Sequence, residues 1–353
     1  MRGALAAALL AARRTGRVAW IAIPAAFAAS QLATSPTASV VSGDVATAAA
    51  AGGVRTAAGV GAAAFAVALA LVAHLVHLGR LRGAEADGLL ATPVGRGAFT
   101  LGTFGGAVAT ALVALAAAAV VVGATGGSDA PTLRVVRSLE VPGLVLTGRT
   151  DARSLVLDAA QLRGATRLRA RLVALPGDGP VVFASLAAAR AGTDAHDRAE
   201  GRVFAQRALE VALPPGDGDV TLTLARLGEG AGLALARDGV VALAPVATDA
   251  ALPTSLFLHA LLAIAAAAAA LAALRPFLGG GLCGGTVAAI AFALWTRPEL
   301  GGAWPVAGLA DALDVASSGL VPASPSLGPT VLVCGACLAI ATLAPRSVRE
   351  AGE

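Results

Sequence analysis

Lysine and asparagine are absent from all 353 residues of this sequence. The absence of lysine excludes two kinds of site. A P-loop needs the lysine of G-x-x-x-x-G-K-[ST] to hold nucleotide phosphates, and a Schiff-base enzyme needs a lysine amine. The excess of alanine, glycine and arginine is typical of genome-wide composition bias. This chain therefore contains neither a P-loop ATPase nor a Schiff-base site.

Charged and aromatic residues are both scarce. Charged residues make up 14% of the chain and aromatic residues 3%, whereas 57% of residues are hydrophobic and the mean hydropathy is +0.78. Soluble domains carry about a quarter charged residues, so lipid must be the solvent for much of this chain. The net charge of +4 comes from scattered arginines without aromatic stacking partners, which excludes nucleic-acid binding.

The few cysteines and histidines do not predict a reactive site. All three cysteines, Cys283, Cys334 and Cys337, lie in apolar segments, so we expect no disulfide framework. We interpret the C-x-x-C of Cys334 and Cys337 as helix packing rather than redox chemistry. His74 and His77 lie one helical turn apart but lack a third ligand, which favours packing over metal binding. We predict no catalytic residue, no metal and no cofactor.

Long intervals without charge predict the membrane spans, because an ionised side chain at mid-bilayer costs roughly 2.5–3.5 kcal/mol. Six intervals are long enough for a crossing of about 20 residues. The predicted helices are 18–38, 57–78, 98–123, 255–274, 277–295 and 327–345. The sequence thus predicts an α-helical polytopic membrane protein with six transmembrane helices.

Arginines in the short loops predict the orientation by the positive-inside rule. With a cytoplasmic N-terminus, the outer short loops contain only Arg55 and Arg297. The inner side contains Arg2, Arg13, Arg14, Arg17, Arg80, Arg82, Arg96, Arg275, Arg346 and Arg349. Both termini are therefore predicted inside, with residues 1–17 as a cytoplasmic interfacial helix and 346–353 as a cytoplasmic tail. Cleavage of 1–33 as a signal peptide is the alternative that Pro24 and an odd number of remaining spans disfavour.

Residues 124–253 differ from the rest of the chain, because they are polar and contain alternating apolar residues between turn signals. Asp219–Leu227 alternates Val, Leu and Leu with threonines, and Asp238–Gly239 is placed for a hairpin turn. Further predicted strands are Leu144–Asp158, Thr166–Ala174, Arg202–Leu213 and Leu233–Ala244. Strands without intervening helices favour an extracytoplasmic antiparallel β-sandwich inserted between the helices. We interpret Asp194, His196 and Asp197 as a solvated loop.

Two further features concern the helices. Residues 305–320 predict a short external helix between the last two spans, within the segment 254–345. G-x-x-x-G steps at Gly102 and Gly106, and at Gly281 and Gly285, let helix backbones approach closely, either within the chain or across a dimer interface.

The loop between the second and third predicted spans, residues 79–97, contains the functional signal. It has two carboxylates, then Gly-Leu-Leu, then a Thr-Pro turn and an arginine before the next helix. The residues of this pattern are Glu85, Asp87, Gly88, Leu89, Leu90, Pro93 and Arg96. This arrangement resembles the cytoplasmic loop of ABC-2 type ABC-transporter permeases, which also have six spans and both ends inside.

The resemblance implies a function for this loop. A short helix with an apolar tip at Leu89 and Leu90 and an acidic collar, ended by Pro93, can seat in a groove of a soluble partner. In the family, the loop rests on the ATP-binding subunit, and nucleotide-driven closure pushes on the helices that it joins. The segment 18–123 would then contain the first three spans and this coupling loop, whose Arg96 either pairs with the ATPase or anchors the helix at headgroups.

The resulting hypothesis is a plasma-membrane (inner-membrane) permease subunit of an ATP-driven exporter. Its expected partners are a separate ATP-binding subunit, a second permease that is identical or homologous, and the bilayer. Predicted span interiors lack Asp, Glu, Lys and Arg, which argues against an ion-coupled transporter. The alternative is a non-transporting membrane anchor, scaffold or sensor that presents the β domain outside.

Overall fold

The computed structural model describes residues 5–6, 8–9, 12–13, 45–78, 96–125, 133–147, 151–175, 182–192, 196–203, 206–227, 232–246, 250–274, 277–278, 280–296 and 304–343. The chain divides into two compact units. The helical unit combines Met1–Ala130 with Thr248–Glu353, and the β unit is Pro131–Ala247. The β unit is therefore an insertion in the sequence of the helical unit.

The helical unit is built from alanine-rich helices, and alanine is the best helix former. Its helices are α1 (Val45–Leu78), α2 (Arg96–Thr125), α3 (Ala251–Leu274), α4 (Gly280–Thr296), α5 (Pro305–Ser317) and α6 (Leu327–Leu343). A two-residue strand, Leu320–Val321, follows α5. Pro305 occupies the first turn of α5, and Gly319, with φ +80°, follows its C-terminus in the left-handed conformation that glycine adopts without strain.

One apolar cluster holds four of these helices together. It combines buried alanine, valine, leucine and isoleucine side chains of α1, α2, α3 and α5. A smaller cluster joins Leu271 of α3 to Cys283 and Val287 of α4. Because most of these side chains are small, the helix axes can lie close together. α6 packs mainly against α3 and buries only Thr330 and Ala341.

The β unit consists of nine strands in two antiparallel sheets. The strands are β1 (Leu133–Leu139), β2 (Leu144–Leu146), β3 (Ala152–Leu157), β4 (Arg167–Ala174), β5 (Val182–Arg190), β6 (His196–Val203), β7 (Gln206–Ala212), β8 (Val220–Leu227) and β9 (Leu233–Pro245). One sheet has the order β1-β9-β4-β7, with β2 also paired to β9, and the other has the order β3-β8-β5-β6.

Both sheets contribute to a single core, as the alternation of their strands requires. On β8, Val220, Leu222 and Leu224 are buried, whereas the threonines between them are half-buried on the opposite face. Leu168, Ala170 and Leu172 of β4 enter the same core from the other sheet. The β unit thus has a hydrophobic core of its own.

The prediction of a six-helix polytopic protein was wrong. Among the described residues, two helices are long and apolar enough to cross a bilayer, Gly53–Ala70 within α1 and Ala251–Leu274. The apolar stretches Leu101–Ala117, Leu282–Leu294 and Leu327–Leu343 are shorter, and the predicted helix 18–38 lies outside the described residues. A charge-free interval also includes turns and capping residues, so it overestimates the length of the helix within it.

Three details of the β unit also differ from the prediction. No hairpin forms at Asp238–Gly239, because β9 continues through it as one strand. The register of β9 with β4 shifts there, since the partners of Ala170 and Leu172 are Val240 and Leu235, so this dipeptide lies in a bulge. His196–Val203, whose start was interpreted as a solvated loop, is strand β6. Strands β1 and β5 were not predicted.

Candidate functional site

The predicted coupling loop connects α1 to α2. Residues Glu85, Asp87, Gly88, Leu89, Leu90 and Pro93 lie outside the described residues. Arg96 is the first residue of α2. The structure therefore describes the two helices that the loop joins, but not the loop itself.

These two helices belong to one packed body. Ala57, Val60 and Ala64 of α1 are buried in the same cluster as Ala111 and Leu115 of α2. α1 and α2 also contact each other directly. Because packed cores resist deformation, a force applied at the loop would move both helices together rather than bend one of them.

Glycines mark the closest contacts within the helical unit. A Cβ at Gly106 of α2 would overlap the backbone of Ala8, with its Cα only 2.9 Å away, whereas a Cβ at Gly105 would meet no atom within 4 Å. A Cβ at Gly53 of α1 would overlap the carbonyl of Ala316 at the end of α5. α2 thus packs on an N-terminal helical residue, and α1 packs on α5, through glycine.

The glycine steps of α4 differ from those of α2. A Cβ added at Gly285 would meet no atom within 4 Å, and Leu282 and Phe292 of the same helix are exposed. The close approach predicted at Gly106 therefore occurs within this chain, whereas Gly285 has no such contact with the part of the chain that the structure describes.

A buried histidine in α3 is a polar residue that sequence analysis did not identify. His259 is 7% exposed, and its Nδ1 lies 2.9 Å from the carbonyl oxygen of Ser255. A carbonyl only accepts, so Nδ1 carries the proton. The Ser255 hydroxyl in turn donates to the Pro322 carbonyl at 3.2 Å, which ties α3 to the segment after α5. The single histidine in an otherwise apolar helix was the available signal.

The β unit contains a buried ion pair between two paired strands. Arg169 of β4 lies opposite Glu210 of β7, and its Nε donates to the Glu210 carboxylate at 2.6 Å. A second guanidinium nitrogen of Arg169 also contacts this carboxylate, and Arg167 reaches it at 3.7 Å. Both side chains of the main pair are less than 10% exposed. This pair links the edge strand β7 to the centre of its sheet.

Two further buried arginines bind backbone carbonyls. Arg190, at the end of β5, donates to the carbonyls of Pro214 at 2.7 Å and Gly218 at 3.0 Å. Arg226, at the end of β8, donates to the carbonyl of Thr147 at 2.8 Å. Charge-assisted bonds of this kind hold irregular segments against strand ends, so we assign these arginines to folding rather than to ligand binding.

The residues of the Asp194–Asp197 cluster have a structural role where they are described. Asp197 of β6 accepts a hydrogen bond of 2.6 Å from the amide of Ala212 on β7, so it joins an edge of one sheet to an edge of the other. His196 is exposed on β6, and Asp194 lies outside the described residues. A carboxylate that accepts a backbone amide at an edge does not form a catalytic group by itself.

Metal and thiol chemistry has little support in the described part of the chain. No group of three or more His, Cys, Asp or Glu side chains that could hold a metal occurs among the described residues. Cys283 is buried, and its thiol donates to the Leu271 carbonyl at 3.4 Å. Cys334 and Cys337 are half-buried on α6 and form no disulfide. The backbone of His74 and His77 belongs to α1.

Comparison with known proteins gives no match: no protein-family model, no curated protein and no solved structure matches this chain significantly.

Proposed function

We propose that this chain is the membrane-embedded permease subunit of an ATP-driven exporter of the ABC-2 type, and that it works with a separate ATP-binding subunit. The supporting sequence pattern runs from Glu85 to Arg96, between α1 and α2. The chain has no lysine for a P-loop, so the energy of ATP must come from a partner.

The observation that carries the proposal is the shared core of the two helices that this pattern connects. α1 ends at Leu78 and α2 begins at Arg96, and both bury small apolar side chains in one cluster. Movement of a docked loop would therefore act on two helices that are packed against each other. A coupling element needs this mechanical continuity.

The surface of the helices supports a location in the membrane. Phe65 of α1 is 70% exposed, and Leu69, one turn later, is also exposed. Leu332 of α6 is 75% exposed. Exposing apolar surface to water costs a free energy of about 25 cal/mol per Å², whereas contact with acyl chains avoids this cost. These side chains therefore favour contact with lipid.

The composition of four helices also favours ATP as the energy source over an ion gradient. α2, α3, α4 and α6 contain no acidic residue, and their only arginine is Arg96 at the start of α2. Ion-coupled transporters use ionisable side chains in the membrane to bind protons or sodium. These four helices offer only the buried His259 for such a role.

The experiment is co-purification of the detergent-solubilised chain with its ATP-binding partner. Replacing Leu89 and Leu90 by aspartate replaces the two leucines of the sequence pattern by two charges, so we expect the ATPase to be lost. The matched control is V135D/V136D, two adjacent exposed valines on β1, which should leave the association unchanged. An ATPase that stays bound to the L89D/L90D chain would contradict the docking role.

The anchor role is the second candidate, and the independent core of the β unit favours it. Pro131–Ala247 is a compact unit whose interior is filled by its own strands. Such a module can bind an extracytoplasmic partner without any transport. If no ATPase accompanies the wild-type chain but another protein binds the β unit, the anchor role replaces the exporter.

A further inference from the structure

Strand β3 is an edge strand of the sheet β3-β8-β5-β6. It pairs with β8 on one side, from Ala152 opposite Ala225 to Leu157 opposite Val220. Among the described strands, none pairs with its other side. Ala152, Arg153, Ser154 and Val156 are all exposed, and Val156 is 70% exposed. An exposed edge of this kind can accept another strand.

The hydrogen-bond alternation shows which backbone groups of β3 point to the open side. The amide of Arg226 on β8 donates to the carbonyl of Asp151 at 2.9 Å. Residues that bond to a neighbouring antiparallel strand alternate with residues that do not. Asp151, Arg153 and Leu155 therefore bond toward β8. Ala152, Ser154 and Val156 direct their N–H and C=O groups away from it.

We propose that β3 of a second copy of this chain pairs antiparallel with this edge. The two-fold axis that relates the two copies passes between their Ser154 residues. Ser154 then lies opposite Ser154 of the second copy, and Ala152 lies opposite Val156 of the second copy. These residues are the ones whose backbone groups point outward, and each pair exchanges two hydrogen bonds. The two four-stranded sheets become one continuous sheet.

The side chains of β3 favour this register over the neighbouring ones. Arg153 faces Leu155 of the second copy, so no like charges meet. An axis through Arg153 would place two guanidinium groups opposite each other, which is unfavourable. An axis through Leu155 would place Ala152 opposite Asp158, which lies beyond the end of β3. The Ser154 register alone pairs all three outward-directed residues with one another.

The outer face of the sheet carries no charged side chain at Ala152, Ser154, Val156 or Thr223. Ser154 contacts Thr223 of β8 through a 2.9 Å hydrogen bond between their hydroxyls, and these side chains lie on the outer face of the sheet. Small hydroxyl and methyl groups on this face leave room for a second strand with the same side chains. Val156 gains cover from Ala152 of the second copy, which removes an exposed apolar side chain from water.

This inference does not rest on the proposed transport function. Loss of ATPase binding in the L89D/L90D chain and pairing of β3 are measured independently, so either can fail while the other holds.

Disulfide cross-linking of the full chain in native membranes tests the register. The background is C283A/C334A/C337A, which contains no other cysteine. Ser154→Cys alone should form a cross-linked dimer on mild oxidation, since paired Cα atoms about 5.5 Å apart fit a disulfide. Ala152→Cys alone and Val156→Cys alone should stay monomeric, because each lies about 13 Å along the strand from its own symmetry mate. Co-expression of these two variants should give the dimer.

The pattern of these results decides the proposal. Monomeric Ser154→Cys, equal cross-linking by all three single variants, or cross-linking of Ser154→Cys to a different protein would each overturn it. Ser154→Pro provides a second measurement, because it removes an N–H that points to the open side and leaves the ladder to β8 intact. In the co-expressed Ala152→Cys and Val156→Cys chains, this change should lower the dimer by about tenfold.

Discussion

The buried ion pair of Arg169 and Glu210 joins two strands of the β unit. Its two charges are paired directly across β4 and β7, and Arg167 adds a third charge at 3.7 Å from the same carboxylate. The cost of removing both charges from water is offset by these close contacts. Removing Glu210 takes this carboxylate away from the buried Arg169 guanidinium, so the cost of burying Arg169 is no longer offset by the pair.

We therefore predict that Glu210→Ala destabilises the β unit by about 3 kcal/mol. R169M/E210L, which removes both charges and keeps apolar volume, should be clearly less harmful. The measurement is urea-dependent protection of the β unit from proteolysis in the full chain. The control is Glu200→Ala, whose ion pair with Arg198 is exposed and should contribute about 0–1 kcal/mol. A Glu210→Ala chain as stable as this control would show that the buried pair contributes nothing.

Helix packing at the scale of elements depends on where the backbone can approach. Gly105 and Gly106 are neighbours on α2, yet only Gly106 contacts the backbone of Ala8. A methyl group at Gly106 requires a shift of backbone, which is expensive, whereas a methyl group at Gly105 meets open space. The same change at adjacent positions thus has opposite expected effects.

We predict that Gly106→Ala lowers the melting temperature of the detergent-solubilised chain, because its Cβ separates α2 from the N-terminal helical residues. Gly105→Ala should leave the melting temperature unchanged or raise it, since alanine is favoured over glycine in helices by up to about 1 kcal/mol. Differential scanning fluorimetry of both variants in one detergent gives the comparison. Equal melting temperatures would mean that the contact between Gly106 and Ala8 does not stabilise the protein.

Elements with strict alternation or a long apolar interval could be located from the sequence. The alternation in Asp219–Leu227 corresponds to β8, and the apolar interval 98–123 corresponds to α2. β5 was not predicted, because it is alanine-rich and its central position buries most of its residues, so alternation is weak. The start of β6 at His196 was interpreted as a loop, because its sequence, HDRAEGRV, is mostly polar. Polarity marks an edge strand as easily as a loop.

Long-range relations could not be read from local patterns. The Asp238–Gly239 dipeptide has the composition of a hairpin turn. β9 nevertheless pairs with β4 both before and after it, and with β2 before it and β1 after it, which keeps it in a strand with a bulge. His259 was overlooked since its burial depends on neighbouring helices. At the candidate site, the sequence identifies the Glu85–Arg96 pattern, whereas the shared core of α1 and α2 became visible only in the structure.

At the scale of the whole molecule, the two units present different surfaces to their surroundings. Exposed apolar side chains occur on most helices of the helical unit, and α1 has Phe65 and Leu69 within its 18-residue apolar stretch. In the β unit, β8 alternates buried apolar residues with half-buried, mostly polar ones, and most apolar side chains fill the core between the sheets. A bilayer around the helical unit and water around the β unit would suit both surfaces.

Cysteine accessibility tests this arrangement. In the C283A/C334A/C337A background, we predict that Phe65→Cys reacts with a charged, water-soluble maleimide at least about tenfold more slowly than Val145→Cys in permeabilised native membranes. Both native side chains are open in the folded chain, at 70% and 59% exposure, so burial within the chain cannot explain a difference. Permeabilised membranes admit the reagent to both aqueous sides, which removes orientation as a cause.

After denaturation in detergent both cysteines should react at the same rate. If Phe65→Cys already reacts as fast as Val145→Cys in the membranes, the apolar face of α1 lies in water, and the membrane location proposed for the helical unit is wrong.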